Sequence, residues 1–555
     1  MNPILLRSVR SLVWRGWLAG VAVFIAGGSL LGAVSASTGE RLRAAIRLPE
    51  VSFSGQLGSS WILEWHSDGD FPDPAIRLEE LRRKLQGRSS DAPLLRRIAE
   101  VTSLKGPEAE IEAAYRAALE AARRWTEESP DSAEAKVQLA GALMDAKGAE
   151  EAGRILRPLT WEGSRDGAAF LRLAELHLVL GTLAWETKPM EGMSILAGLG
   201  TRPSADRHTK ATREYRLAIA AANRAVELRP EDPWPLLRRA RIQARIALLE
   251  ACMKPQEDEE RRRLTLASVM YPKEALPDLH AALRLRPEDP RLLTAIVAHE
   301  CAGEMGRVWK DGGDSPGTSA LLKRLPEDSQ ERVRSALGRL EKLGESSDSR
   351  VAAAALEGLA FFRMMLGLNA AEMLKLALRA YELDPIRSEA FEMAIAGIAG
   401  AKEPDWGLME RLLRQRIKTR DEGRLRLTLA KAQDQRGERT PALETVVQAR
   451  KDFPESVALV AAEFALRLKK GDIKEESEAA PYLEEITRGL EKMPDGQDKG
   501  LLHRRLYITI VIANALEGRV GIARQRIREY IAQVPDDDYA LSVDRLLRDI
   551  PASEQ

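Results

Sequence analysis

The pattern of apolar and polar residues divides most of the chain into helical stretches joined at short polar corners. Apolar residues recur at spacings of three and four for about three turns. Each stretch ends in a polar residue, a proline and two further polar residues, and another periodic stretch follows at once. Proline cannot continue a helix, and acidic residues suit the first turn of the next one. The pattern therefore predicts helix after helix, joined by tight turns.

The corner is written almost identically in AVELRPEDPWPLL, which starts at Ala225, and in ALRLRPEDPRLL, which starts at Ala282. Five more corners carry their proline at Pro130, Pro385, Pro454, Pro494 and Pro535. In five of the seven corners, alanine stands twelve residues before the proline, at Ala118, Ala218, Ala275, Ala442 and Ala523. A small residue there would let a neighbouring helix approach closely. Glycine stands seventeen residues before the proline at Gly437 and Gly518, where an inner turn favours a left-handed residue.

These spacings resemble the tetratricopeptide repeat family, whose period is about 34 residues. The best copies end at Pro454 and Pro535, and a partial copy has Gly148 at its inner turn. The resemblance implies an all-α fold, a right-handed superhelical solenoid of stacked antiparallel helix pairs. The two phrases lie 286 − 229 = 57 residues apart, which exceeds one period and indicates insertions. The candidate insertions are 187–210, 253–272, 307–329 and 469–481.

Four segments follow from these patterns. Residues 1–37 are predicted to be a membrane anchor or a signal peptide, and 38–73 an extended or hairpin tether in which Trp61, Leu63 and Trp65 alternate as in a strand. Residues 74–330 are predicted to form an irregular solenoid with insertions, and 331–555 a more regular one.

The N-terminal segment allows two interpretations. The uncharged run from Trp17 to Val34 would span about 27 Å as a helix, close to the hydrocarbon thickness of a bilayer. It would serve as a hydrophobic membrane anchor with the body of the protein outside the cytoplasm. Alternatively, the small residues before Ala36 suit cleavage of a signal peptide near Ala36 and export of the remainder.

Composition argues against several functional classes. Lys and Arg (84) balance Asp and Glu (84), so no overall field attracts nucleic acid. The two cysteines, Cys252 and Cys301, exclude a disulfide scaffold, and their offset along neighbouring helices predicts free, buried thiols. The sequence HEC at His299 lacks the second ligand of a zinc-protease helix, and no glycine-rich loop carries a phosphate-binding Lys-Ser/Thr. We therefore expect no enzyme, cofactor, metal, nucleic acid or small-molecule substrate.

The family resemblance implies a groove for a protein or peptide, lined by the first helix of each pair. A groove that runs from basic to apolar would suit an acidic-then-apolar peptide. The predicted lining residues are Trp234, Leu237, Arg241, Arg245, Leu427, Lys431, Gln435, Arg505, Ile508 and Ile512. The expected function is a membrane-tethered or exported interaction scaffold. A structural subunit of a secretion, polysaccharide or respiratory assembly in the cell envelope is the alternative, and an enzyme with an unrecognised site in 38–90 is a third.

Overall fold

The computed structural model contains only helices, turns and irregular segments in the part of the chain that it describes. The described residues are 36–48, 81–86, 90–103, 108–146, 148–185, 204–253, 271–311, 322–365, 370–385, 387–419, 421–473, 476–493, 497–535 and 537–550. The predicted anchor from Trp17 to Val34 and the strand-like stretch 61–65 lie outside these residues.

The chain forms two compact units. The central unit is Phe53–Pro404, and the terminal unit combines Met1–Ser52 with Asp405–Gln555. The division falls between Pro404 and Asp405, whereas the boundary predicted at 330/331 falls within a helix, Glu327–Leu343.

Antiparallel helix pairs make up the central unit. Helices are numbered along the chain, and the first, α1, belongs to the terminal unit described below. The helices of the central unit are α2 (Ala92–Ser103), α3 (Glu108–Glu128), α4 (Ala133–Asp145), α5 (Ala149–Leu156), α6 (Gly167–Trp185), α7 (Ala205–Leu228), α8 (Pro233–Met253), α9 (Leu276–Leu285), α10 (Pro290–Asp311), α11 (Glu327–Leu343), α12 (Ser349–Met365), α13 (Ala370–Leu383) and α14 (Ser388–Gly400). Each even-numbered helix from α2 to α12 packs against the odd-numbered helix that follows it. This is the repeated pair that the corners predict.

The terminal unit continues the same architecture. Its helices are α1 (Ala36–Ala45), α15 (Trp406–Thr419), α16 (Gly423–Gln435), α17 (Arg439–Asp452), α18 (Val457–Lys470), α19 (Glu476–Lys492), α20 (Gln497–Leu516), α21 (Val520–Gln533) and α22 (Asp538–Arg548). The helices α16 and α17, α18 and α19, and α20 and α21 form the pairs, and α22 packs on the last pair. The chain thus has a tetratricopeptide-like helical repeat fold.

The repeated corner produces the same backbone at four of its seven positions. Arg229 and Arg286, the residues before the prolines of the two near-identical phrases, have φ/ψ of −133°/61° and −130°/73°. Phe453 and Val534 adopt −130°/64° and −134°/73° in the same role. The following proline disfavours helical geometry at each of these residues, so one helix ends there and the next begins within a few residues.

The two inner-turn glycines behave as predicted. Gly437 has φ +82° and Gly518 has φ +81°, both in the left-handed region that side chains other than glycine rarely adopt. The alanines twelve residues before the corner prolines are all at most 1% exposed, at Ala118, Ala218, Ala275, Ala442 and Ala523. Small side chains therefore stand where neighbouring helices approach one another.

The start of the predicted tether differs from the expectation. Residues 38–45 are helical, as part of α1, rather than extended. The physical reason is tertiary, since Leu42, Ile46 and Leu48 are buried in the core of the terminal unit. A ten-residue helix has little stability on its own, so its stability here comes from packing against the core rather than from the helix propensity of its residues.

One described helix is long and apolar enough to cross a membrane by length and composition alone, within Gly167–Ala184. This stretch belongs to α6, which packs extensively against its pair partner α7 and also contacts α4, α5 and α8. Packing covers only 39% of this stretch, and Val179 and Leu183 are exposed.

Candidate protein-binding faces

In each unit a run of four first helices from consecutive pairs lies side by side. In the central unit α2 contacts α4, α4 contacts α6 and α6 contacts α8, and these four helices form what we call the central face. In the terminal unit α16, α18, α20 and α22 contact one another in the same order and form the terminal face. The ten predicted groove residues divide between these faces, four on the central face and six on the terminal face.

Helix α8 carries the four predicted residues of the central face. Leu237 is buried and belongs to the packing between helices, whereas Trp234, Arg241 and Arg245 are half-buried. The guanidinium carbon of Arg286 lies 5.5 Å from the centroid of the Trp234 ring. Three of the four predicted side chains are therefore partly accessible.

Four arginines from three first helices converge on Glu175 of α6. Arg172, one turn earlier on α6, pairs with this carboxylate, and Arg238 of α8 pairs with it at 2.9 Å. Arg96 of α2 and Arg241 of α8 act on the same carboxylate through its charge. We call Arg96, Arg172, Arg238 and Arg241 the arginine cluster.

The arginine cluster controls the ionisation of Glu175. Burial alone would raise the pKa of Glu175, but Arg172 and Arg238, with smaller contributions from Arg96 and Arg241, outweigh burial and lower that pKa to about 2. The carboxylate is therefore ionised at neutral pH.

A second carboxylate extends the cluster to another helix. Arg96 Nε donates a hydrogen bond of 2.6 Å to Asp145 Oδ2 at the end of α4. Arg96 also packs over Gly141, where a Cβ would stand 3.0 Å from the guanidinium carbon. Glycine thus makes room for the guanidinium, and side chains from all four helices of the central face meet at one place.

The terminal face presents its predicted residues differently. Leu427, Ile508 and Ile512 are at most 1% exposed, Lys431 and Arg505 are half-buried, and Gln435 is exposed. Ile508 and Ile512 belong to one core cluster with Leu42 of α1 and with Ile46, which directly follows α1. The apolar part of the predicted groove is therefore buried in the core of the terminal unit, to which α1 also contributes.

Helix α1 lies on the terminal face itself. It packs against α18 and α20, which are the first helices of two consecutive pairs. The Arg43 side chain reaches the end of α18, where a Cβ at Gly471 would lie 3.6 Å from Arg43 Nε. The exposed ion pair between Arg41 and Asp549, 3.6 Å long, links α1 to the end of the chain.

Tyr539 of α22 holds the end of α1. Its hydroxyl donates a hydrogen bond of 3.0 Å to the Ala45 carbonyl and accepts one of 3.1 Å from the Arg47 amide. The guanidinium carbons of Arg47 and Arg505 lie over the Tyr539 ring, 4.6 and 4.7 Å from its centroid. One aromatic side chain thus satisfies backbone groups that a helix end leaves without intrahelical partners.

Within the described residues, no group of three or more His, Cys, Asp or Glu is arranged to hold a metal ion. His299 is fully buried, with Nδ1 2.8 Å from the Ala295 carbonyl. Cys301 is free and buried, as predicted, and burial raises its pKa to about 12, with Glu300 and Glu304 adding to the effect. The side chain of Cys252 lies outside the described residues.

No family model and no curated protein sequence matches the chain. Among solved structures it is similar to yeast Tom70, with 11% identity over 85% of this chain and 95% of that one, at a TM-score of 0.28. It is also similar to the APC/C hetero-tetramer Cut9–Hcn1, with 13% identity, 79% and 94% coverage and a TM-score of 0.24. A monomeric mutant of IFIT1 with Gppp-AAAA matches at 13% identity, 93% and 88% coverage and a TM-score of 0.27.

Proposed function

We propose that this chain is a tetratricopeptide-like scaffold that binds a protein partner through the central face. The observation that carries the proposal is the convergence of the arginine cluster on that face. Stacked helix pairs present an extended surface rather than a closed pocket, which suits a macromolecular ligand.

The chemistry of the central face favours an acidic segment of the partner. Guanidinium groups bind carboxylates through paired, charge-assisted hydrogen bonds. The arginine cluster together with Glu175 and Asp145 holds four cationic and two anionic groups. Helix packing already orders these side chains, so binding loses less side-chain entropy than it would at flexible arginines.

The affinity of a captured partner for wild-type and variant protein tests whether the central face binds it. The partner is first captured by photo-crosslinking in intact cells from a benzoylphenylalanine placed at Trp234, and is then purified. The variant Arg241→Gln with Arg245→Gln is expected to bind it at least tenfold more weakly than the wild type. Equal affinity of this variant and the wild type would contradict the proposal.

A matched control removes two arginines from the outer helix α7. Arg213 and Arg216 are exposed there, and the variant Arg213→Gln with Arg216→Gln is expected to keep the wild-type affinity. The same loss in both variants would indicate a general effect of charge rather than recognition by the central face.

We also propose that the N-terminal segment tethers the protein to a membrane with its body outside the cytoplasm, or directs its export. The uncharged run from Trp17 to Val34 supports this proposal. Alkaline carbonate extraction separates the two cases: an anchored chain stays in the membrane pellet, whereas a cleaved chain is released and begins near Ser37. A soluble chain that still begins at Met1 would contradict both.

A further inference from the structure

The helices of the terminal unit form a continuous stack without α1. Each helix from α15 to α19 packs on the next, α18 and α20 contact each other directly, and α20, α21 and α22 pack together. Helix α1 comes from the opposite end of the chain: the hydrogen bond between Arg47 and Tyr539 joins residues 492 positions apart. The terminal face is thus built by one continuous part of the sequence, and α1 is added to it.

The segment on this face has a definite chemical pattern. Leu42, Ile46 and Leu48 are buried at exposures of 0, 1 and 4%, while Arg41 and Arg47 are exposed. Leu42 lies in α1, and Ile46 and Leu48 follow just after the helix ends at Ala45. The face therefore accepts a basic segment that begins as a helix and carries aliphatic residues at positions i, i+4 and i+6, the last two just past the helix end.

Polar contacts from Tyr539 fix the end of the segment. The Tyr539 hydroxyl bonds to backbone atoms of Ala45 and Arg47, which any helix ending at this place would offer. The ion pair from Arg41 to Asp549 is exposed, and exposed ion pairs contribute little to stability. The Nε atom of Arg43 is buried without a hydrogen-bond acceptor. Another helix of the same pattern could make the aliphatic contacts and the backbone hydrogen bonds to this tyrosine.

We propose that the terminal face is a receptor for a short basic amphipathic helix of a partner protein, and that residues 36–48 are an intramolecular ligand which this helix displaces. The partner helix carries aliphatic residues at i, i+4 and i+6 with arginine beside them. Until it binds, α1 closes the face. This proposal concerns the terminal unit alone and does not depend on acidic partners of the central face.

A labelled synthetic peptide of residues 36–48 is the probe, and the full-length protein is the receptor. In the variant Leu42→Asp with Ile46→Asp, the internal segment loses its aliphatic contacts and leaves the face. This opened variant is expected to bind the peptide at least tenfold more tightly than the wild type, in which the internal segment competes. Adding Tyr539→Phe to the opened variant removes both hydroxyl hydrogen bonds and is expected to weaken peptide binding about fivefold.

The matched control introduces the same charge on the exposed side of α1. Ala44 is exposed, so the variant Ala44→Asp keeps the segment in place and is expected to bind the peptide no better than the wild type. Tight binding to Ala44→Asp, or no peptide binding to an opened variant that keeps wild-type helix content and melting temperature, would overturn the proposal.

If the opened variant does not fold, hydrogen exchange of the wild-type protein tests whether residues 36–48 can leave the terminal face. A displaceable segment leaves the face transiently, so amides of residues 42–46 are expected to exchange at least tenfold faster than those of residues 508–512 in α20. Equal protection of the two stretches would make α1 a permanent part of the unit and overturn the proposal.

Discussion

At the scale of single residues, Gly437 is required by its backbone rather than by its surroundings. Its φ is +82°, and a Cβ added there would meet nothing within 4 Å. The variant Gly437→Ala therefore tests conformation alone. It is expected to lower the free energy of unfolding of the terminal unit by about 1–2 kcal/mol, measured by urea denaturation.

The control is Gly521, an exposed glycine of α21 with ordinary helical geometry. The variant Gly521→Ala is expected to be neutral or to stabilise by less than about 1 kcal/mol. If both alanine variants lost the same stability, the positive φ of Gly437 would not be the cause.

His299 predicts a pH dependence of the stability of the central unit. Burial lowers the pKa of His299 to about 4. The hydrogen bond to the Ala295 carbonyl and the charge of Glu300 raise this pKa, but their effect is smaller than that of burial. An unfolded histidine binds a proton below about pH 6.5, and the folded one resists until about pH 4. Stability is therefore unaffected at pH 7 and is lost as the pH falls between these values.

The variant His299→Phe is expected to show a smaller loss of unfolding free energy between pH 7 and pH 5 than the wild type, by about 2 kcal/mol. Urea denaturation at both pH values measures it. An unchanged dependence in His299→Phe would exclude His299 as its source.

At the scale of elements, a buried ion pair joins two first helices of the central unit. Arg387, just before α14, donates from Nε and Nη2 to the two carboxylate oxygens of Glu357 on α12, both at 2.9 Å. Both side chains are almost completely buried. Removing one member leaves the other charge without its partner, which is costly in a medium that solvates charge poorly.

The variant Arg387→Met is therefore expected to lose about 3–5 kcal/mol of unfolding free energy. The double variant Arg387→Met with Glu357→Leu removes both charges and is expected to recover most of this loss. Thermal and urea denaturation of the three proteins check the prediction, and a double variant less stable than Arg387→Met would contradict it.

At the scale of the whole molecule, stability is expected to be local. Helix pairs pack on their sequence neighbours, so the stability of such an array is close to a sum over pairs and interfaces. Phe464 of α18 is fully buried in the core of the terminal unit. The variant Phe464→Ala is expected to remove about 3–5 kcal/mol there.

Hydrogen exchange followed by mass spectrometry resolves where that loss is felt. Protection is expected to fall in residues 423–533 and to stay unchanged in residues 108–156 of the central unit. A uniform loss of protection along the chain would contradict a repeat architecture and indicate one cooperative globule.

The candidate faces show how far sequence reasoning reaches at this scale. It places Arg241 on the central face, but Glu175, Arg172 and Arg96 were not predicted, since they lie on other helices at no fixed spacing. Ile508 lies on a first helix, as predicted, but its side chain is buried rather than exposed in a groove. Similarly, nothing in the sequence near Tyr539 reveals that it receives residues from the other end of the chain.

The sequence by itself determined the helix pairs, the corners, the buried alanines and the left-handed glycines. Each depends on periodicity or turn chemistry within about one repeat of roughly 34 residues. Only the tertiary structure decided the division after Pro404, the convergence of arginines on Glu175 and the packing of α1 on the terminal face. The physical reason is that contacts between distant elements depend on shape and burial, which leave no periodic trace in the chain.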